Sequence, residues 1–204
     1  MKKRNLKKVL ILSTLAATLF ALPVVHAHNT DVYSGNWPSS VATNLAVAYG
    51  TSASTWSALI QQSAERWNGI DPNVAITSIY HNPEVDNETF PSRINLFATD
   101  LGSTGDWALA LNFKYSVLWG YTGDWDAEWK VGRIRLNNNT DSTTKRGFSF
   151  YDTDLKRKII THEIGHTLGL KHPADTSETA IMKQGDNLYY TIQTHDKDVL
   201  KSKY

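Results

Sequence analysis

The 204-residue chain contains no cysteine, and this absence excludes several kinds of chemistry at once. Disulfide bonds, a thiolate nucleophile and lipid attachment at a signal-peptide cysteine all need that side chain. The sequence also has no internal repeat and no long low-complexity tract. With 41% hydrophobic and 20% charged residues, its composition is typical of one globular domain that is stabilised by a packed core.

The start of the chain has the pattern of a secretory signal peptide. A basic segment, residues 1–8, precedes an apolar run, residues 9–25, and a small-residue exit at Val25-His26-Ala27. The alternative is an uncleaved membrane anchor, but the run is shorter than the roughly 20 residues that a spanning helix needs. We therefore expect a signal peptide at 1–27, a domain at 28–204, secretion to the extracellular space and no stable membrane insertion after cleavage.

A strong charge of either sign is also absent. Loss of residues 1–27 would remove five basic and no acidic side chains, which changes the formal net charge from +1 to −4. A weakly acidic domain gives no electrostatic reason to expect nucleic acid or an anionic membrane as a partner. We therefore expect no nucleic-acid partner.

Five segments rich in β-branched and aromatic residues predict strands. They cover residues 44–49, 74–80, 93–99, 107–115 and 131–137. After the first strand, Ser52 and Ser54 are candidate helix caps, and a helical apolar pattern runs to a stop signal at Asn68-Gly69. Strands interrupted by helices of this kind predict an α/β or α+β fold, with a sheet on which helices pack.

A second long helix is predicted to begin near Asp152 or Asp154 and to end near Leu168. Residues 162–172, within and just after this helix, read HEIGHTLGLKH. The i, i+4 spacing places His162 and His166 one above the other on one helix face, where they can share one metal ion.

Two further residues complete the candidate site. Glu163 lies about 100° round the helix from its neighbour, so its carboxylate can reach a water molecule on the metal without occupying the metal. Gly169 can take the left-handed conformation that ends a helix, and the chain then turns so that His172 comes back towards His162 and His166. Three histidines are therefore predicted to converge.

Three neutral nitrogen ligands leave one coordination position open, which is the arrangement of catalytic rather than structural zinc. Zinc lowers the pKa of bound water to about 7 and polarises a peptide carbonyl. Glu163 would take the proton of that water and pass it to the leaving amine. We therefore predict one zinc ion held by His162, His166 and His172, with Glu163 as general base of a peptide-bond hydrolase. The alternative is a catalytically silent, zinc-stabilised extracellular binding protein.

The string resembles the H-E-x-x-H-x-x-G-x-x-H signature of the metzincin metallopeptidases, and Ala180-Ile181-Met182 looks like their Met-turn. The short interval from His172 to Met182 and the ending HDKDVLKSKY resemble the matrixin branch. His172-Pro173 is more similar to the serralysins, but Gln184 stands where those enzymes have a tyrosine ligand, so we expect none. The resemblance implies a secreted, monomeric zinc endopeptidase for extended polypeptides, closest to a bacterial-type matrixin catalytic domain.

By this resemblance the fold would be metzincin-like, with a twisted, mixed, five-stranded sheet, two long helices and a C-terminal helix. Residues 107–115 would form an antiparallel edge strand that pairs with the substrate. Met182 would support the site without reacting. Lys158, one turn before His162, would reach the wall of the pocket beyond the scissile bond, and the alternative is a solvated helix lysine.

The resemblance also has consequences for control and for other metals. The cysteine switch of matrixins is excluded because the chain has no cysteine. A second, structural zinc is not expected because no histidine occurs between His81 and His162. A bound calcium ion is an open possibility, with five candidate oxygen ligands whose spacing matches no EF-hand loop. They are Asp100, Asp106, Asn137, Asn139 and Asp141, and the alternative is that they form turns.

The segment LWGYTGDWDAEWK contains three tryptophans, Trp119, Trp125 and Trp129. One interpretation is an exposed aromatic surface for a peptide or a glycan. The other, which we favour, is that these rings pack beneath a long loop. His81 and His195 lie outside the motif, and we assign neither a metal-binding role.

Overall fold

The computed structural model describes residues 30–102, 106–141, 147–185 and 187–204. The predicted signal peptide, residues 1–27, lies outside these described residues. Across the described ranges, no helix combines the length and the apolar character that crossing a bilayer requires.

The described chain is a mixed α/β structure with six strands and four α-helices. The strands are β1 (Leu45–Tyr49), β2 (Ile76–His81), β3 (Ile94–Thr99), β4 (Ala108–Ser116), β5 (Gly120–Gly123) and β6 (Val131–Asn137). The helices are α1 (Ser39–Ala42), α2 (Ser57–Glu65), α3 (Thr153–Thr167) and α4 (Thr194–Lys203). Short 3₁₀ segments lie at Thr51–Trp56, Pro83–Asn87 and Phe148–Phe150. The predicted α/β class is confirmed, and the architecture is compatible with a metzincin-like fold.

The six strands form one sheet in the order β2-β1-β3-β6-β4-β5. The first four are parallel to one another, β4 runs antiparallel to β6, and β5 runs antiparallel to β4. Residues 107–115 run antiparallel as predicted, but the count of five strands is wrong, and so is their place at the edge of the sheet, because β5 lies beyond β4. The chain doubles back after β4, and β5 covers only the far end of that strand, from Phe113 to Ser116.

The additional strand follows a tight turn with two local causes. Gly120 has a φ of +65°, a conformation that favours glycine. The hydroxyl of Ser116 accepts a hydrogen bond of 3.0 Å from the backbone amide of Trp119. This turn brings Tyr121 opposite Tyr115, and their rings meet edge to face at 5.2 Å. The sequence of the Trp-rich segment does not predict this strand, because four residues are too few to show an alternating pattern.

Helix α3 begins and ends as its sequence predicts. The side chain of Asp152 accepts a hydrogen bond of 2.8 Å from the amide of Leu155, which makes Asp152 the N-cap. Helix α2 starts later than predicted, because residues 51–56 wind as a 3₁₀ segment instead.

One face of the sheet packs against α2 and α3. Alternate strand side chains such as Val47, Leu96 and Ile134 are fully buried there together with Ile160 and Ile164 of α3. The indole of Trp67, just after α2, donates a hydrogen bond of 3.0 Å to the carbonyl of Thr161. These contacts fix α3 against the core, so the side chains on its remaining face project towards the cleft beside β4.

Candidate metal centre and active site

The end of α3 brings the third histidine back to the helix. The backbone of Gly169 has a φ of +99°, and its amide donates to the carbonyl of His166 at 2.9 Å. The amide of Leu170 donates to the carbonyl of Gly165 at 3.0 Å, as in the helix-ending turn that glycine permits. The chain therefore reverses within three residues of the helix end, and His172 faces His162 and His166.

The three imidazoles meet at one point. The Nε2 atom of His172 lies 3.2 Å from Nε2 of His162 and 3.1 Å from Nε2 of His166. For tetrahedral zinc with Zn–N bonds of about 2.0–2.1 Å, nitrogen ligands are about 3.3–3.4 Å apart. The donor set therefore fits a zinc ion in both chemistry and spacing, and within the described residues these histidines form the only such group.

Backbone carbonyls set the tautomer of two of these rings. Nδ1 of His162 lies 2.8 Å from the carbonyl oxygen of Ile181, and Nδ1 of His166 lies 2.8 Å from that of Leu170. A carbonyl can only accept, so both Nδ1 atoms carry the proton, and both Nε2 atoms keep a lone pair for a metal. The two carbonyls therefore hold both rings in the tautomer that can bind a metal through Nε2.

Burial keeps the three rings neutral. It lowers the pKa of His162 to about 4, and it lowers the pKa of His166 well below the ordinary value, with further lowering by the neighbouring rings of His162 and His172. Burial also lowers the pKa of His172. Neutral imidazoles are the form that binds metal, so protons compete with a metal ion only under acidic conditions.

Glu163 points into the same cleft without joining the cluster of nitrogens. Its side chain is 7% exposed, and the backbone amide of Ala110 on β4 donates a hydrogen bond to its carboxylate. Burial raises the pKa of Glu163, the hydrogen bond from Ala110 opposes this rise, and the nearby charge of Asp106 adds a smaller rise, so that the pKa lies at about 8. A cation held by the histidines would lower this pKa, because positive charge favours the carboxylate.

The cleft around Glu163 has a volume of about 570 Å³, which is large enough for several residues of a bound peptide. Its floor is α3, one wall is residues 108–111 of β4, and another is the segment 183–185 after Met182. Strand β5 stops short of residues 108–111, so in the described structure their outer edge borders the cleft.

Tyr33 and Trp125 form the remaining wall. Their rings are stacked at 4.1 Å with an interplanar angle of 12°, and each lies 6.4 Å from the ring of His166. Burial first, and then the carboxylate of Glu163, raises the pKa of Tyr33. Its hydroxyl therefore stays protonated across the neutral pH range.

Met182 lies beneath the motif helix and is 1% exposed. Its sulfur packs against Gly165, in the space that a β-carbon would otherwise occupy. The carboxylate of Asp196 on α4 accepts hydrogen bonds from the amides of Ile181 at 2.8 Å and Met182 at 3.1 Å. The turn that carries Met182 is thus fixed by α4, and the same turn supplies the carbonyl that orients His162.

Lys158 lines the cleft one turn before His162, and it is 3% exposed. Its ammonium group donates a hydrogen bond of 2.6 Å to the carbonyl of Asn187 and lies 5.6 Å from the ring centre of Tyr190. The alternative of a solvated helix lysine is wrong, since the side chain is packed against the segment that follows Met182.

Among the five calcium candidates, Asp100 and Asn137 accept backbone hydrogen bonds in turns. Asp100 accepts from the amide of Gly102 at 2.7 Å, and the carboxamide oxygen of Asn137 accepts from the amides of Leu101 and Asn139. These oxygens are engaged by backbone donors, as the turn-forming interpretation predicts. The possible calcium ion therefore stays a hypothesis.

The three tryptophans have separate environments. Trp129 is fully buried and meets Trp37 edge to face at 6.0 Å, while Trp125 stacks on Tyr33 in the cleft wall. Trp119 is 81% exposed at the tip of the β4–β5 hairpin. The three rings therefore do not form one exposed surface. The interpretation that the rings are packed is confirmed for Trp125 and Trp129, but not for Trp119.

Three of four further residues of the site carry no signal in the sequence, and the fourth is Gly165. Tyr33 and Asp196 come from opposite ends of the described chain, and Ala110 acts through its backbone. Gly165 is within the HEIGH string, where its lack of a side chain admits Met182 and Trp67. The role of Gly165 alone is indicated by the sequence, because a glycine inside a helical pattern usually has a packing or functional reason.

A comparison with protein-family models matches residues 140–186 to a family described as dual-action HEIGH metallo-peptidase. The matched segment contains α3, the three histidines and Met182. A search of curated proteins finds no match. The family match does not single out the matrixin branch. Together with the convergence of His162, His166 and His172, it identifies this chain as a zinc metallopeptidase.

Proposed function

We propose that the protein is a secreted endopeptidase that hydrolyses extended polypeptides, with zinc held by His162, His166 and His172 and with Glu163 as general base. The observation that carries the proposal is the meeting of three neutral imidazoles and a buried carboxylate in one cleft beside a strand edge. Secretion rests on the pattern of residues 1–27 alone.

In this proposal, Glu163 moves protons and does not bind the metal. When bound, zinc supplies Lewis acidity that polarises a peptide carbonyl and acidifies water. The carboxylate of Glu163 would accept a proton from the attacking water and return it to the leaving amine. The amide of Ala110 holds this carboxylate towards the cleft, so the base is oriented before substrate arrives.

The edge of β4 supports an extended substrate. Ala110 and Asn112 direct backbone groups away from β6, since the amide of Ala110 reaches Glu163 and the carbonyl of Asn112 accepts from Asp124 at 2.8 Å. Backbone groups alternate along a strand, so those of Ala108 point the same way. A peptide lying along this edge can add as a further strand, which suits bonds within a chain rather than at its end.

The matrixin branch is the relationship we propose within the metzincins. The short interval from His172 to Met182 and a C-terminal helix, α4, support it. By the same resemblance, Lys158 would lie in the wall of the pocket just beyond the scissile bond, and its position in the cleft supports this role.

The test compares three purified chains: wild type, Glu163→Ala and His172→Ala. Wild type should release new amino termini from a denatured protein, lose this activity to a chelator and regain it with added zinc. Glu163→Ala should keep its zinc and lose at least about 10²–10⁴-fold in turnover, the usual contribution of an acid–base group. His172→Ala should retain less zinc than either, because it lacks a ligand.

Zinc content must be measured beside turnover in every sample. Near-native turnover by fully loaded Glu163→Ala would exclude Glu163 as the base. Equal zinc retention by wild type and His172→Ala would exclude the third ligand. A zinc-loaded wild type that cleaves no polypeptide would instead favour a silent, zinc-stabilised binding protein.

A further inference from the structure

The segment Thr30–Trp37, here called the N-terminal segment, is packed against the loop that carries the third histidine. Val32 forms an antiparallel bridge with Leu170, and the amide of Tyr33 donates to the carbonyl of Gly169 at 2.9 Å. The loop after α3 therefore gains a strand-like partner from a region about 140 residues earlier in the chain.

Within this segment, Asp31 contacts the loop on both sides of His172. Its backbone carbonyl accepts a hydrogen bond of 2.7 Å from the amide of Lys171. Its carboxylate accepts one of 2.9 Å through Oδ1 from the amide of Ala174. Asp31 is only 5% exposed, so these bonds are formed away from competing water. The backbone is thus held on either side of the histidine.

The second oxygen of the same carboxylate reaches α4. Oδ2 of Asp31 lies 3.2 Å from Nε2 of His195, and Nδ1 of His195 lies 3.4 Å from the carboxylate of Glu178. The next residue, Asp196, binds the amides of Ile181 and Met182. Asp31 therefore joins the His172 loop to the helix that also fixes the turn beside His162.

We propose that Asp31 is a positioning residue for the metal centre, which holds His172 in place before the ion binds. The inference rests on the metal site of the proposed function, but not on peptidase activity. A histidine in a loop must lose conformational freedom to become a ligand, and this cost lowers metal affinity unless the loop is already ordered. Hydrogen bonds to Lys171 and Ala174 supply that order.

The experiment measures the zinc dissociation constant by competition with a chromophoric chelator, in the full chain and three variants. Asp31→Ala removes the carboxylate and should weaken zinc binding by about tenfold or more, the usual effect of losing a group that orients a ligand. Asp31→Asn keeps an acceptor for the amide of Ala174 and should restore most of the affinity. Asp175→Ala is the matched control, since this exposed carboxylate of the same loop accepts its hydrogen bonds from Ser177 within a local turn.

A purely structural role makes a different prediction. Asp31→Ala would then lower the unfolding temperature of the zinc-free protein while leaving the zinc dissociation constant equal to that of Asp175→Ala, and this result would overturn the proposal. Turnover is not part of the measurement. A wild type that binds zinc tightly but cleaves nothing would therefore refute the proposed function and leave this inference standing.

A second measurement covers the case in which Asp31→Ala fails to fold. In the zinc-free wild type, the amides of Lys171 and Ala174 should exchange with solvent at least about tenfold more slowly than in an unstructured chain, because both are hydrogen-bonded to Asp31. Unprotected amides at both positions, with α3 still protected, would show that the loop is not held before the ion binds.

Discussion

Lys158 is a buried lysine on the motif helix, at a place where most lysines would be solvated. Its ammonium group is held by the carbonyl of Asn187, in the segment that follows Met182. Burying a charged head costs free energy unless it is hydrogen-bonded, so the contact with Asn187 stabilises the ordered form of that segment. The same head group borders the cleft, where it would face a substrate side chain.

We expect Lys158→Leu to change cleavage preference. An apolar wall should favour larger apolar residues after the scissile bond, and we expect a shift of about tenfold in relative kcat/KM between apolar and acidic residues at that position, within the usual range for changes to one pocket group. A peptide-library cleavage profile measures it. Lys156→Leu is the control, because Lys156 lies on the same helix but donates to Ser149, away from the cleft.

An identical cleavage profile for wild type and Lys158→Leu would remove Lys158 from the specificity pocket. A shift of the same size in Lys156→Leu would point to a general effect of charge on α3 instead.

At this scale, the sequence predicts ligands better than it predicts their partners. The positions of His162 and His166 follow from helix geometry, and Gly169 follows from its freedom at positive φ. The carbonyl of Ile181 that orients His162 has no such pattern, since any residue there has a carbonyl. Backbone partners become visible only once the fold places them.

Among the elements, α3 packs tightly against neighbouring parts of the molecule at Gly165. A β-carbon at this position would lie 2.8 Å from a ring carbon of Trp67 and closer still to the sulfur of Met182. No side chain fits there without displacing one of these two groups. Glycine at this position therefore lets the metal-binding helix lie directly on the Met182 turn.

We expect Gly165→Ala to destabilise the protein, although alanine is the better helix former by about 1 kcal/mol. Overpacking in a filled core typically costs about 1–3 kcal/mol, and the rigid ring of Trp67 leaves little room to relax. With an overpacking cost in the upper part of that range, about 2–3 kcal/mol, the net loss is about 1–2 kcal/mol, which corresponds to a fall of roughly 2–8 °C in Tm for a domain of this size. Thermal unfolding of the zinc-loaded protein measures it.

The double variant Gly165→Ala/Met182→Ala serves as the control. Removing the Met182 side chain makes space for the new methyl group, so the two changes should cost less together than the sum of their separate costs. Additive losses, or a Tm of Gly165→Ala at or above that of wild type, would contradict the packing described here.

The elements themselves could largely be predicted. Five strands and the two long helices follow from apolar periodicity and caps, because each is long enough to show its period. The four-residue strand β5 and the 3₁₀ segment before α2 were missed, since neither completes a pattern. That omission matters for the site, because β5 determines how much of the β4 edge borders the cleft.

For the molecule as a whole, the two ends of the described chain meet beside the metal centre. The ammonium group of Lys203 donates to the carbonyls of Tyr33 and Gly35, and it lies 5.2 Å from a ring centre of Trp129. The hydroxyl of Tyr204 donates to the carbonyl of Leu168 at 2.9 Å, just beyond α3. The chain has no cysteine, so these contacts join the two described ends where a disulfide could otherwise have done so.

The meeting of the ends could not be predicted from the sequence. The partners of Lys203 are backbone carbonyls about 170 residues earlier. Neither end has a sequence pattern that indicates contact with the other end. What the sequence does predict is the need for such contacts, since a domain with no disulfide depends on packing, hydrogen bonds and metal.

We expect the contribution of Lys203 to stability to increase with pH. Burial first, and then Lys171, lowers the pKa of Lys203 to about 8, whereas an unfolded lysine titrates near 10.4. Below pH 8 both states are charged, and the folded state bears the full cost of burying that charge. Between about pH 8 and 10 the folded state loses its proton first, so the unfolded state binds more protons and the free energy of unfolding rises, by at most about 1.4 kcal/mol per pH unit.

The measurement is the free energy of unfolding of zinc-loaded wild type and Lys203→Met at pH 7.5 and pH 9.5, where the difference between the two proteins isolates this one lysine. As the pH rises, the free energy of unfolding of wild type should increase relative to that of Lys203→Met. Lys201→Met alters an exposed lysine of the same helix, and its free energy of unfolding should change in parallel with that of wild type. Other groups titrate over this range as well, but they are common to all three proteins and cancel in the differences. If the curves of wild type and Lys203→Met stay parallel, the ammonium group is not desolvated by the N-terminal segment, and the two ends of the described chain are held together by the remaining contacts alone.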